Sequence, residues 1–297
     1  MNPAEPDAVR RLGVIAGGGD LPRRVAEARR ARGEPVSLVA LEGFADDWVE
    51  DFPHLRAGVG ELGRIIAHFK SDAVDTVTFA GVVKRPNFAA LKVDARGARV
   101  LPRALAAAAK GDDALLRVVL DVFEKEGFVI AGPESFAKDL LAEQGVLAGI
   151  APEAEHEADI VKALDAARAL GALDIGQGAV VRDGLVLALE AQEGTDRMLA
   201  RVSELVAEGS AAPERKGVLA KVAKPIQDRR VDLPTVGVTT VHGAARARLA
   251  GIVVEAGGAL IVDREAVAEA ADAAGLFVLV RPPADGEGRR FRAGSDE

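Results

Sequence analysis

The chain has 297 residues, 49% of them hydrophobic, enough to bury two cores. Lys and Arg number 38 against 46 Asp and Glu, and the net charge of −8 argues against a general nucleic-acid binder. With no cysteine, disulfides, thiolate zinc sites and a cysteine nucleophile are all excluded, and a reducing compartment suits the chain.

Residues 1–12 are polar, carry Pro3 and Pro6, and lack the apolar centre of a signal peptide. No run approaches the length of a membrane span, so the expectation is a soluble, cytoplasmic protein. Residues 12–16 read as a buried strand that enters Gly17-Gly18-Gly19-Asp20-Leu21-Pro22, followed by a helix over 22–32. Three glycines at a strand-to-helix turn let backbone N–H groups approach an anion. The spacing is G-x-G-x-x-P, so the dinucleotide fingerprint is not met. Gly17, Gly18, Gly19 and Asp20 are therefore candidates for phosphate contact, beside the plainer reading of a tight turn.

A second strand is predicted at 36–40, with Glu42 beyond it as a candidate ribose contact. Residues 60–70 read as a helix with Leu62, Ile65, Ile66 and Phe69 on one stripe, and 76–80 as a third strand. That strand leads to Lys84 and Arg85, where open α/β sheets bind ligands, although a solvated basic loop has the same pattern. Helices follow at 101–110 and from Gly111 to Lys125, with Asp112 or Asp113 as N-cap or as substrate or metal contact. A fourth strand at 128–131 and a helix at 136–144 complete the alternation. The pattern predicts a doubly wound, Rossmann-like parallel sheet in residues 1–145, with 145–157 as a linker.

Residues 146–297 read as a distinct mixed α/β domain. A helix over 158–170 precedes two β-rich runs, 175–181 and 185–191, whose Asp183-Gly184 predicts a hairpin. Glu193-Gly194-Thr195-Asp196 then opens a helix over 197–208. Thr195 is the expected N-cap, Gly194 and Thr195 are candidate anion contacts, and Glu193 and Asp196 add carboxylates. Strands are expected at 218–223, 236–240, 252–254, 259–262 and 276–280, with helices at 242–249 and 264–274. The tail from about 283 is expected to be disordered.

Residues 221–237, K-V-A-K-P-I-Q-D-R-R-V-D-L-P-T-V-G, concentrate the polar chemistry between two prolines. Asp228 and Asp232 are expected to project together on a helical turn or an extended segment. Lys224 and Arg230 stand close by to hold phosphate, and Gln227 adds an amide. Two carboxylates among cations suit a hard metal such as Mg²⁺ or Mn²⁺ and a polyphosphate. Asp228, Asp232, Glu193 and Asp196 are the candidate metal ligands. The four histidines lack zinc-ligand spacing, and there is no G-x-S-x-G elbow. An Arg/Asp-rich surface turn bridged by salt links is the structural alternative.

G-V-I-A-G-G-G-D-L-P, D-I-G-Q-G-A-V-V, L-A-L-E-A-Q-E-G-T-D and K-P-I-Q-D-R-R-V-D-L-P-T-V-G occur in that order. Together they resemble the LpxI family of UDP-2,3-diacylglucosamine pyrophosphatases over roughly residues 11–280. The resemblance implies Mg²⁺-dependent hydrolysis of this lipid-linked nucleotide sugar to UMP and 2,3-diacylglucosamine 1-phosphate (lipid X), a step in lipid A synthesis at the cytoplasmic face of the inner membrane. It implies a Rossmann-like first half, a different second half, and Asp228 as a catalytic or metal-binding residue. Homodimerisation and peripheral membrane contact through Lys84, Arg85, Lys92, Arg96 and Arg99 are compatible with it. The competing readings are a non-catalytic nucleotide-sugar or lipid-binding module and an NAD-dependent oxidoreductase, the latter disfavoured by the missing third glycine.

Overall fold

The computed structural model describes residues 11–208, 215–225 and 227–283, so the predicted tail lies largely outside the described residues. The first sheet is built from β1 (Leu12–Ala16), β2 (Val36–Leu41), β3 (His54–Ala57), β4 (Thr76–Ala80) and β5 (Val129–Ile130). All neighbours run parallel in the order β3-β2-β1-β4-β5, which is the Rossmann-like arrangement. Between the strands run α1 (Asp20–Ala31), α2 (Leu62–Ser71), α3 (Ala95–Ala108) and α4 (Asp112–Lys125). The stripe of α2 is buried as its spacing requires.

Several boundaries differ from the expectation for identifiable reasons. β3 is a short edge strand whose His54 and Arg56 interrupt its apolar pattern. α3 starts well before residue 101, because the Asp94 carboxylate accepts from Arg96 N at 3.0 Å and Gly97 N at 2.7 Å and so caps it. Pro102 is then carried inside the helix. The helix expected over 136–144 is replaced by 3₁₀ turns at Pro133–Ser135 and Lys138–Leu140. The chain then enters β6 (Gly145–Val146), where a linker was expected.

β6 belongs to a second, mixed sheet of order β6-β13-β11-β9-β7-β8. After α5 (Glu157–Ala172), β7 (Gly178–Arg182) and β8 (Leu185–Leu189) form the predicted hairpin. Asp183 and Gly184, at φ 48 and 74, make its two-residue turn. α6 (Thr195–Ala207), β9 (Val218–Lys221) and β10 (Thr235–Val236) follow. The strand expected over 236–240 stops at Val236, since α7 (Val238–Arg246) begins two residues later. β11 (Gly251–Glu255), β12 (Leu260–Ile261), α8 (Arg264–Ala274) and β13 (Phe277–Arg281) complete the fold, with β10 and β12 paired as a small parallel sheet.

The second sheet buries a separate apolar cluster on each face, the first sheet buries one beneath α2 and α4, and a fourth cluster on its other face joins the two halves. Leu12, Val14, Ala16 and Leu38 of the first sheet pack with Leu260 and Val262 of the second half. Among the described residues no helix is long and apolar enough to cross a membrane.

Candidate active site

β9 ends at Lys221, and the motif then leaves the second sheet and crosses to the first half. Val231 packs on the core beneath α2 and α4, and Leu233 on the core shared by both halves. These two apolar anchors set the polar residues around them at the boundary. Lys224 Nζ lies 2.8 Å from Asp174 Oδ1 and 3.2 Å from Asp113 Oδ2. Burial alone would lower the pKa of Lys224, but the two carboxylates outweigh it and raise the pKa. Burial raises the pKa of Asp113, whereas that of Asp174 is lowered: burial opposes, and hydrogen bonds from Lys224 and Asp113 prevail.

The buried Gln227 amide is oriented by Lys224 N, which donates to its Oε1 at 2.9 Å. Its Nε2 makes no well-aligned hydrogen bond among the described residues, although the amide acts on the Asp232 carboxyl nearby. Asp228 and Asp232 do not face a common point. Asp228 accepts from Arg230 Nε at 3.0 Å, Arg230 Nη2 at 2.7 Å and Arg230 N at 3.1 Å. This fork holds the Asp228 carboxyl below its usual range. Arg230 Nη1 also reaches Glu124 Oε1 at 2.9 Å, so the guanidinium ties the motif to α4. Arg117, Leu120 and Glu124 of α4 and residues 227–230 line a pocket of about 470 Å³ there.

Asp232 turns toward the other cluster. Burial, followed by the charge of Asp113, pushes its carboxyl from 3.8 up to about 6, with Lys224 and the Gln227 amide opposing the rise. Lys221 is buried, which lowers its pKa against the pull of Glu190, Asp196 and Asp232. Its ammonium donates to Thr235 O at 2.7 Å.

The E-G-T-D turn sits beside Lys221 and differs in detail from its prediction. Gly194, at φ 78, is the N-cap of α6, and Thr195 is the first helical residue. A glycine takes this left-handed position without strain, which frees the threonine hydroxyl to donate to Glu190 Oε1 at 3.1 Å. Glu190 is buried, which raises its pKa. Glu193 accepts from Ala191 N at 3.2 Å and from Arg201 at 2.8 Å, so it faces its own helix.

The glycine turn after β1 is closed by the loop after β4. Gly17 N donates to Ala80 O at 2.8 Å, and Gly18 and Val82 exchange bonds of 3.0 and 2.8 Å. Gly19 N donates to Asp46 Oδ2 at 2.8 Å. The three amides expected to meet a phosphate are thus engaged within the chain. A Cβ on Gly17 would lie 2.8 Å from Val82 O, and one on Gly81 2.6 Å from Gly18 O. Asp20 and Lys84 are exposed to solvent. Arg85 donates to Ala108 O and lies 3.8 Å from Asp112. Gly111, not either aspartate, is the N-cap of α4.

Sequence reasoning passed over Asp174, Glu124, Arg117 and Glu190. Asp174 directly after a helix end and Glu190 directly after a strand were visible as positions, but their partners could not be read from spacing. For a hard metal, no group of three or more Asp, Glu or His side chains converges as a ligand set among the described residues. Asp228 is taken by Arg230 and Glu193 by Arg201, whereas Asp232 is a half-buried carboxylate that no guanidinium forks among the described residues. Since Mg²⁺ is commonly held by one or two carboxylates plus substrate phosphates, Asp232 fits such an ion.

A Rossmann-like sheet joined to a mixed sheet, with lysines, arginines and carboxylates gathered where they meet, defines a two-domain α/β protein with an ionic boundary site. Sequence profiles agree on both halves: the LpxI N-terminal domain matches residues 11–140 and the LpxI C-terminal domain residues 143–279. The chain is 56% identical over 272 residues to UDP-2,3-diacylglucosamine pyrophosphatase LpxI of Caulobacter vibrioides, covering 91% of this chain and 97% of that protein. It belongs to the LpxI family. Among solved structures, Thermus thermophilus UDP-glucose 4-epimerase in complex with NAD is similar at a TM-score of 0.30 and 16% identity, over 92% of this chain and 86% of that one. CobK precorrin-6A reductase gives 0.31 and 14%, over 93% and 90%. At this distance neither likeness bears on function.

Proposed function

We propose that this protein hydrolyses the pyrophosphate bond of UDP-2,3-diacylglucosamine, giving UMP and 2,3-diacylglucosamine 1-phosphate. The observation that carries the reading is the 56% identity, over nearly the full length of both chains, to a protein named for acting on this molecule. The cluster around Lys224 supports it, because a pyrophosphate needs a fixed cation with a carboxylate close by, and Lys224 and Asp232 lie within electrostatic reach of each other.

In this reading Lys224 binds a phosphate oxygen and neutralises charge that grows on it as the bond breaks, while Arg230, paired with Glu124 towards the other end of α4, meets a more distant part of the substrate. Gln227, whose buried Nε2 makes no well-aligned hydrogen bond among the described residues, donates to the substrate. A hard divalent ion such as Mg²⁺, when bound, neutralises phosphate charge and helps polarise water. Asp232, together with the substrate's phosphates, is the residue to hold it. Asp228 keeps Arg230 in its forked orientation.

The test is incubation of the purified protein with UDP-2,3-diacylglucosamine in ¹⁸O-water, with Mg²⁺ or with a chelator, followed by mass spectrometry. UMP and 2,3-diacylglucosamine 1-phosphate, with one ¹⁸O between them, are expected with Mg²⁺ only. No release with any divalent metal would leave a binding module as the better account.

A further inference from the structure

Lys224 is held by carboxylates from two separate parts of the fold. Asp113 Oδ2, 3.2 Å from Nζ, comes from the second residue of α4, and Asp174 Oδ1, 2.8 Å from Nζ, comes from the loop after α5. Three local features converge on this arrangement. Asp174 follows the C-cap of α5 at φ 55, a left-handed position that favours glycine, yet the chain keeps an aspartate there. Gly111 faces it, and a Cβ on Gly111 would lie 2.8 Å from Asp174 Oδ2, so the absence of a side chain makes the room for that carboxylate. Asp113 is buried, a placement that disfavours a carboxylate unless a cation meets it.

An ammonium has three hydrogens to donate. Two of them are accounted for by Asp113 and Asp174, and no third hydrogen-bond acceptor meets Nζ among the described residues. Asp113 and Asp174 outweigh the effect of burial, so the ammonium stays protonated although half-buried.

We infer that Asp113 and Asp174 are positioning residues, which fix the Lys224 ammonium so that its remaining hydrogen is presented to a phosphate oxygen of the substrate. The inference rests on the hydrolase reading for the identity of that substrate. It does not follow from it, because neither aspartate belongs to the K-P-I-Q-D-R-R-V-D motif.

Asp174→Gly separates positioning from packing, since glycine removes the left-handed strain and suits a helix C-terminus better than aspartate. The expected result is a thermal midpoint within about 5 °C of the wild type, because relief of the left-handed strain offsets the lost ion pair, with kcat/KM for UDP-2,3-diacylglucosamine lowered roughly 10- to 100-fold. Asp174→Glu, which restores a carboxylate, should recover part of the loss, and Asp113→Asn should lower kcat/KM in the same way. Wild-type kcat/KM in Asp174→Gly would overturn the inference. If the wild type itself hydrolyses nothing, the hydrolase reading fails, and the inference is then judged from ¹⁵N NMR of the lysine ammonium groups. A Lys224 resonance protected from exchange in the wild type and lost in Asp174→Gly upholds the positioning role. The same resonance in both proteins overturns it.

Discussion

Asp228 and Asp232 stand four residues apart and serve different partners: Asp228 is gripped by Arg230 at 2.7 and 3.0 Å, while Asp232 lies in the electrostatic reach of Asp113 and Lys224. Their substitutions should therefore separate. Asp232→Asn should lower kcat by at least about 100-fold, because it removes the carboxylate proposed to hold the metal. Asp228→Asn loosens Arg230 and should mainly raise KM, by roughly 10-fold. Steady-state kinetics on both variants checks the order.

Asp232 also links activity to pH-dependent stability. Its folded-state pKa, about 6, lies above the ordinary 3.8, so the protonated form favours folding. That contribution is complete below about 3.8 and is lost as pH rises through 6. Asp232→Asn should consequently raise stability at pH 8 by on the order of 2–3 kcal/mol, since each tenfold change in proton affinity is worth about 1.4 kcal/mol. At pH 3 the variant and the wild type should melt alike. Denaturant titrations at the two pH values make the measurement.

Metal removal should abolish turnover without unfolding the protein. No ligand set of three converges among the described residues, so under the proposed reading the ion would depend on the substrate's phosphates for most of its coordination. Adding Mg²⁺ alone should leave the thermal midpoint unchanged. Adding Mg²⁺ with UMP should raise it, by linkage to binding. Differential scanning fluorimetry over the four combinations tests this.

Gly17→Ala should destabilise the first sheet. The new methyl group would meet Val82 O at 2.8 Å and the Val83 Cγ2 atom at 3.0 Å, and both belong to the loop that closes the crevice between β1 and β4. Overpacking of this kind costs about 1–3 kcal/mol. Gly19→Ala meets no atom within 4 Å and differs only by its φ of 86, so comparison of the two midpoints separates crowding from backbone strain.

The Rossmann-like half was legible because its strands are continuous apolar runs and the α2 stripe keeps a helical period. β3 was not, since His54 and Arg56 break the pattern, and 136–144 was misread because Pro133 and the short turns after it lack a helical period. The polar motif was legible as a concentration of residue types, and its place at the boundary follows from Val231 and Leu233. The sorting of its carboxylates was not legible, because Glu124, Asp113 and Asp174 lie 50 to 111 residues from the side chains they meet. Spacing in a chain reports neighbours on one element and says little about which distant charge will arrive beside them.

α4 meets the motif near both of its ends, with Asp113 on Lys224 and Glu124 on Arg230. The rise from the one to the other makes the helix a spacer of about 16 Å with a fixed rotational phase. One residue inserted within that interval would turn its far end by about 100° and advance it by about 1.5 Å. Only one of the two contacts could then be kept. α4 is therefore tolerant of substitution on its solvent face and intolerant of any change in length, a constraint that follows from helical pitch and not from the identity of a single side chain.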